Sequence, residues 1–267
     1  MVTDISSDEL KDYLKNRKEN EYLLIDVREP KEYAVSHIPG ALLLPLKDVE
    51  AKMAGLDITD KEVIFYCRSG RRSRLAAEFV DGMGVPFSKI FNLAGGILAW
   101  QGKSLSGFPH FMTIDISRGP EQVLRDAIGF EKAAERFYKM VAREFPKSLV
   151  SEMAVHLAGF EIGHAKGIYS LLKRLNPEAP SFETLYEAAS DSFLEGGLML
   201  DEAMERLKAM EGEPILNFGE VAIEIEWMAY ELYKNYAAVT EDVEMVRVFL
   251  QLAEQEKGHA RIIAHYF

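Results

Sequence analysis

Glu161-Ile162-Gly163-His164 is written twice in this chain: Glu256-Lys257-Gly258-His259 repeats its spacing 95 residues later (256 − 161). The same offset links Glu131 in AIGFEKAAERFY to Glu226 in AIEIEWMAYELY, and Tyr138 to Tyr233. A duplicated helix pair is the simplest reading, each copy carrying one lone Glu and then one Glu-x-x-His. At roughly 100° per residue, positions three apart share one face of a helix. The apolar seam around the first motif runs Val150, Ala154, Leu157, Glu161, His164, Ile168, Leu171, Leu175, and its counterpart runs Met245, Phe249, Leu252, Glu256, His259, Ile263, Tyr266. Glu131 lies in the seam Leu124, Ile128, Ala134, Tyr138, and Glu226 in Ala222, Ala229, Tyr233. Four carboxylates and two imidazoles are thereby predicted to point inward, where core side chains belong. Left unpaired, each buried carboxylate costs several kcal/mol. Two divalent cations answer that charge and leave a near-neutral cluster.

A Glu from each of two helices with Glu-x-x-His from each of the other two is the di-iron pattern of ferritin-like bundles. On these residues the C-terminal half resembles a rubrerythrin-type member of that family. The resemblance implies a ferritin-like four-helix bundle with a long crossover, and two iron ions held by Glu131, Glu161, His164, Glu226, Glu256 and His259. Mixed carboxylate and imidazole sites also accept Mn or Zn. The activity it implies is reduction of hydrogen peroxide or O2. The alternative is an iron-binding or storage bundle beside a sulfur-carrying or docking module. Two departures accompany the match. The chain carries no Cys-x-x-Cys pair, so the rubredoxin-like module is expected to be absent and an external electron donor required. Ala229 stands where rubrerythrins tend to place an extra Glu. Tyr138 and Tyr233, one heptad beyond the lone Glu residues, are read as packing.

The predicted long helices span about 119–144, 148–175, 215–239 and 242–265, with a crossover over about 177–214 that holds two shorter helical patterns, SFETLYEAAS and LMLDEAMERLKAM. Residues 1–107 read differently. YLLIDV, GALLLP, EVIFYC and KIFNLAG are short apolar runs bounded by turn residues, with SSDELKDYLKNR and RRSRLAAEFVDGMG as helical stretches between them. Four or five parallel strands with flanking helices follow, so the fold class is α/β plus all-α. The expected division is 1–107, a linker 108–117 and 118–267, with Ser117 as a candidate cap for the first long helix.

Composition narrows the function. The net charge of −12 is uneven, because residues 1–107 hold 15 Lys+Arg against 16 Asp+Glu and the remainder is strongly acidic. That acidity argues against nucleic acid as a partner. No apolar run is long enough for a membrane span. The first residues lack the basic and apolar regions of a signal peptide, which makes a cytoplasmic protein the expectation. A single cysteine excludes intramolecular disulfides and any Cys-rich iron site.

That cysteine sits in Cys67-Arg68-Ser69-Gly70-Arg71-Arg72-Ser73, after the apolar run Val63–Tyr66 and before a helical pattern. A strand ending in Cys, a tight loop and a helix N-terminus make an anion cradle, and its field together with Arg68, Arg71 and Arg72 lowers a thiol's pKa. The loop, with Asp26-Val27-Arg28-Glu29-Pro30, His37-Ile38-Pro39-Gly40-Ala41, Gly95-Gly96 and Ala99-Trp100, resembles a single-domain rhodanese over nearly all of residues 1–107. The resemblance implies that Cys67 carries sulfane sulfur as a persulfide. Arg72 would hold the oxyanion of a donor such as thiosulfate, with Arg68, Ser69, Gly70, Arg71 and Ser73 lining the donor's site. A thiol or cyanide-like species would be the acceptor. Asp26, Arg28 and Glu32 are read as braces and His37 as structural. Ser36 stands where the family usually has Gly. His110, His156 and His265 have no partner spacing and read as ordinary surface or core residues. A homodimer through exposed helix faces is a further expectation.

Overall fold

A computed structural model describes residues 1–56, 58–108, 118–194 and 197–266. Contacts divide the chain into two compact units: Met1–Pro109 with Tyr230–Glu254, and His110–Ala229 with Gln255–Phe267.

The first unit is built on five parallel strands, β1 (Thr3–Ile5), β2 (Tyr22–Asp26), β3 (Leu42–Leu43), β4 (Glu62–Tyr66) and β5 (Lys89–Leu93), in the order β1-β5-β4-β2-β3. All of β2 and β4 is buried, which is why their middles, Leu23-Leu24-Ile25 and Val63-Ile64-Phe65, are continuously apolar rather than alternating. Successive side chains serve opposite faces: Val63 and Phe65 join one core with Ile25 and Val80, whereas Ile64 and Tyr66 join the other with Leu10 and Leu24. The helices are α1 (Ser7–Asn16), α2 (Pro30–Val35), α3 (Val49–Lys52), α4 (Arg71–Gly82) and α5 (Gly96–Ala99). A capping box starts α1: Glu9 N–H donates to Ser6 Oγ, and Ser6 N–H donates to the Glu9 carboxylate. The predicted strand in GALLLP is only two residues long.

The helical half comprises α6 (Gly119–Glu144), α7 (Leu149–Leu175), α8 (Phe182–Ala188), α9 (Leu200–Ala209), α10 (Pro214–Val239) and α11 (Val243–Ala264). The four long helices start and end within one residue of their predicted bounds, and α8 and α9 occupy the crossover. Ser148 caps α7, its Oγ accepting from Ser151 N–H. The candidate cap Ser117, His110 and nearly all of the expected linker 108–117 lie outside the described residues. The architecture is the predicted one, a parallel-sheet domain followed by long helices consistent with a ferritin-like bundle. No helix among the described residues is long and apolar enough to cross a membrane.

The last turns of α10 carry a feature that periodicity did not predict. From Ala229 to Tyr236 every residue is buried, including Glu231, Lys234 and Asn235. A helix buried on all sides needs partners for its polar groups, and here the N-terminal domain supplies them within the first unit. Lys234 Nζ pairs with Glu19 Oε2 at 3.0 Å and donates to the Glu19 carbonyl. The hydroxyls of Tyr22 and Tyr230 also donate to the Glu19 carboxylate. Glu231 accepts from the Tyr33 hydroxyl at 3.0 Å and lies 2.6 Å from His37 Nε2. Substituting Lys234→Met strands the Glu19 charge and is expected to destabilise the first unit by about 3 kcal/mol, the low end for a broken buried pair, because two hydroxyls remain on Glu19. Urea unfolding followed by Trp100 fluorescence in a Trp227→Phe background reads this. A loss below about 1 kcal/mol would mean that the pair is no better than a surface one.

Candidate active-site loop and metal centre

The cysteine loop follows β4 directly. Gly70 closes it at φ 88°, and a side chain there would press on the Leu93 carbonyl and the Gly95 amide, so the loop turns into α4 only with glycine. Gly96 is equally constrained, because a Cβ would collide with the backbone of Cys67 and Arg68. Ile97 N–H donates to the Cys67 carbonyl and Leu98 N–H to that of Arg68, which ties the loop to α5.

Cys67 is buried. Burial pushes its thiol up, but the Ser73 hydroxyl and the N–H groups of Ser73, Ser69 and Gly70 outweigh burial and hold it below its ordinary value. Gly70 N–H reaches Sγ at 3.2 Å and Ser73 Oγ at 3.4 Å. Arg72 is held by a bidentate pair with Glu32, both bonds 2.7 Å. That pairing, and in smaller measure the charge of Cys67, raises the guanidinium further. Arg68, Ser69 and Arg71 are exposed on the loop. Asp26 and Arg28 form a buried pair beneath, 2.6 Å at closest, and Arg28 Nη2 also donates to the Ser36 carbonyl. Ser36 is fully extended at φ −169°, a conformation open to any residue, so its backbone tolerates the departure from Gly. His37 is buried, with Nδ1 2.9 Å from the Tyr33 carbonyl.

In the second unit the six predicted ligands converge. Glu131, Glu161, Glu226, Glu256 and His259 are buried, and His164 is half-buried. His164 Nδ1 lies 3.1 Å from Glu161 Oε2 and 3.7 Å from Glu131 Oε2. His259 Nδ1 lies 3.1 Å from Glu226 Oε2 and 2.9 Å from Glu256 Oε2. The two imidazoles stack with centroids 3.4 Å apart and planes at 15°. Two overlapping sets, Glu161–His164–His259 and Glu226–Glu256–His259, each bring their donor atoms within 4.8 Å of one another. Neither oxygen of the fully buried Glu256 receives a hydrogen bond from the described residues, an orphaned pair of acceptors that a cation fits. Burial pushes the Glu226 carboxyl up to about 8 despite His259. Oxygen and imidazole donors of this kind suit iron, manganese or zinc.

Rhodanese-like domains match residues 7–103. YtwF of Bacillus subtilis is 40% identical over 103 residues, which cover 39% of this chain and 94% of that protein. A sulfurtransferase of Allochromatium vinosum is 38% identical over 38% of this chain and 89% of its own length. The chain belongs to the rhodanese-like family. Behind that domain, the rubrerythrin family matches residues 217–267. Among solved structures, a rhodanese-like domain protein from Staphylococcus aureus is 28% identical, with a TM-score of 0.34, over 38% of this chain and 93% of that one. The molecule thus joins a rhodanese-like domain to a helical half that carries the rubrerythrin match.

Two site features of this rhodanese–rubrerythrin fusion, Tyr138 and Asn92, were missed in the sequence. Tyr138, expected to serve packing, donates its hydroxyl to Glu226 Oε1 at 2.9 Å, because the heptad spacing that places it in the seam also brings it to that carboxylate. Glu32, read as a brace, serves as one by tethering Arg72. Asn92, the lone polar residue of KIFNL, accepts from Ser73 Oγ at 2.6 Å; a polar residue in a buried strand was the available signal.

The Glu32–Arg72 tether has a defined pH range. Hydrogen bonding to Arg72 lowers the Glu32 carboxyl from 4.5 to about 2. A carboxyl depressed by folding stabilises above its unfolded value, and the effect is lost as pH falls through the folded one. The tether should therefore be complete above pH 5, half lost at about pH 2 and gone only below that. A 13C titration of the Glu32 carboxyl should show its midpoint at about 2, returning towards 4.5 in Arg72→Ala. An ordinary midpoint in the wild type would refute the tether.

Proposed function

We propose that this chain is a cytoplasmic two-centre enzyme: a sulfurtransferase carrying sulfane sulfur as a Cys67 persulfide, joined to a di-iron oxidoreductase that reduces peroxide or O2 in sulfur and oxidative-stress metabolism. The domains are assigned to 1–107 and 118–267, joined by 108–117. The observation that supports the first activity is the convergence of Gly70 N–H and Ser73 Oγ on Sγ at the N-terminus of α4. The thiolate attacks the outer sulfur of an anionic donor such as thiosulfate; the donor's S–S bond breaks and sulfite leaves with the bonding pair. A thiol or cyanide-like acceptor then attacks the terminal sulfur of the persulfide, and Sγ departs with the pair as thiolate. Arg72, steadied by Glu32, holds the donor's oxyanion, while Arg68, Ser69, Gly70, Arg71 and Ser73 surround it. The loop amides and the helix N-terminus stabilise negative charge on the persulfide.

In the bundle, Glu131, Glu161, His164, Glu226, Glu256 and His259 would hold the metal pair. When bound, two iron ions supply the electrons for the reduction, replenished by an external donor. The chain's own part is to gather six donors out of water, with Tyr138 fixing one oxygen of Glu226 so that the other stays turned to His259. A cavity of about 10 Å³ between Leu157, Phe160, His164, Glu226, His259 and Ile262 is on the scale of a single water.

Two measurements test the two halves separately. Cys67→Ser should lower thiosulfate:cyanide turnover by roughly a thousandfold or more and leave metal content unchanged. Anaerobically purified protein should hold about two metal ions per chain, falling to one or fewer in Glu256→Gln. Wild-type turnover in Cys67→Ser would end the persulfide reading. Peroxide consumption no faster than that of free iron, or many irons per chain, would end the oxidoreductase one.

A further inference from the structure

Ser73 Oγ carries one hydrogen and faces two acceptors, Asn92 Oδ1 at 2.6 Å and Cys67 Sγ at 3.4 Å. It can serve only one of them at a time. The Asn92 amide cannot turn away, because its Nδ2 donates to Asp4 Oδ1 at 2.8 Å, and a carboxylate only accepts. Its oxygen must therefore face Ser73, a choice of amide orientation made by the hydrogen bonds themselves. Asp4 also accepts from Arg74 Nη1 at 3.0 Å. Ser73 and Asn92 are both buried, so bulk water offers neither bond a substitute.

We propose that Asn92, fixed by Asp4, is a positioning residue that holds the Ser73 hydroxyl hydrogen away from the Cys67 sulfur. Ser73 then meets the resting thiol as an acceptor and turns to donate only when negative charge appears on Sγ. The proposal rests on Cys67 being the sulfur carrier. In the thiol form S–H donates to Ser73 Oγ, which donates to Asn92 Oδ1, and no polar group is left over. In the thiolate form Ser73 must leave Asn92 to serve the sulfur, stranding a buried amide oxygen, which is costly. In the persulfide Sγ bears no hydrogen and the charge lies on the outer sulfur, so Ser73 keeps its bond to Asn92. The chain of bonds thus favours the thiol and the loaded persulfide over the bare thiolate, and works against the loop amides that favour the anion. It retains carried sulfur until an acceptor removes it.

Because Cys67 is the chain's single cysteine, the pH profile of iodoacetamide alkylation reads its ionisation alone in the full-length protein. Charged groups near it are Arg68 and Arg71 on the loop itself, Arg72 with Glu32, Asp4 with Arg74, and Asp26 with Arg28, and none of these but Asp4 is altered by the substitutions. Asn92→Leu frees Ser73 to donate to the sulfur and should lower the alkylation midpoint by about one pH unit. The same substitution in a Ser73→Ala background should leave the midpoint in place. Asp4→Ala, at a more exposed position, covers the case in which Asn92→Leu does not fold. It also removes a negative charge, and that part of its effect persists without Ser73; the part that vanishes with Ser73→Ala is the one that counts. A midpoint unmoved by these substitutions, or moved equally with and without the Ser73 hydroxyl, overturns the proposal. No sulfur donor enters the measurement, so this result and the loss of turnover in Cys67→Ser stand or fall independently.

Discussion

Charge taken out of water has to be answered inside the protein, and that demand shapes both units. In the first unit the answers come from the chain itself. Asp26 has Arg28, Glu19 has Lys234 and two tyrosine hydroxyls, and Glu231 has Tyr33 and His37. In the second unit two imidazoles, whatever their protonation, cannot neutralise four carboxylates. The geometry nonetheless packs all six together, with the Glu256 oxygens lacking any hydrogen bond among the described residues. Neutralising a carboxyl by raising its pKa, as burial does to Glu226, is one outlet; metal coordination is the other, and it uses all six donors at once.

The thiol is handled by different means. A full cation beside Sγ would fix the thiolate permanently, which suits a nucleophile but not a carrier that must pass through thiol, thiolate and persulfide forms. Here the anion is favoured by the Ser73 hydroxyl and by oriented dipoles from the loop amides, and the Arg72 guanidinium is shared with Glu32. On the proposed persulfide reading, partial charges and a movable hydroxyl hydrogen would keep the three forms close in free energy, which serves turnover better than a deep well for any one of them.

The parts of this arrangement that could be read from sequence are those governed by local rules. Helical periodicity placed Glu131, Glu161, His164, Glu226, Glu256 and His259 on inward faces, because three- and four-residue spacing needs no knowledge of the neighbours. The CRSGRRS loop was legible for the same reason: a turn between strand and helix is fixed by its own glycine. Partners remote in the chain were not legible. Glu32 lies 40 residues from Arg72, Asn92 is 19 from Ser73 and Glu19 is 215 from the Lys234 that donates to its carbonyl. No periodicity links such residues, since only the packing of strands and helices brings them together. Tyr138 falls between the two cases: its place in the seam was evident, but its hydroxyl's target depended on a second helix.

The duplication shows where local rules stop. Lys139 and Lys234 occupy equivalent positions 95 residues apart, each eight residues beyond its lone glutamate. Lys139 is half-exposed and pairs with Glu135 one turn back on its own helix. Lys234 is buried and reaches Glu19 in the N-terminal domain. The neighbours have diverged accordingly: Glu135 and Arg136 in the first copy correspond to Tyr230 and Glu231 in the second. In the first copy that turn of helix belongs to the bundle, and in the second it belongs to the sheet-containing unit. The candidate ligands recur at the same offset in both copies and converge in one cluster. The turns beyond them differ: in α6 Lys139 and Glu135 pair along the helix, whereas in α10 the equivalent turn makes buried contacts within the first unit. A single helix thus carries Glu226 of the candidate metal centre and, five residues on, the Glu231 that holds His37 and Tyr33. The third long helix thus contributes to the packing of the first unit as well as a donor to the six-residue cluster.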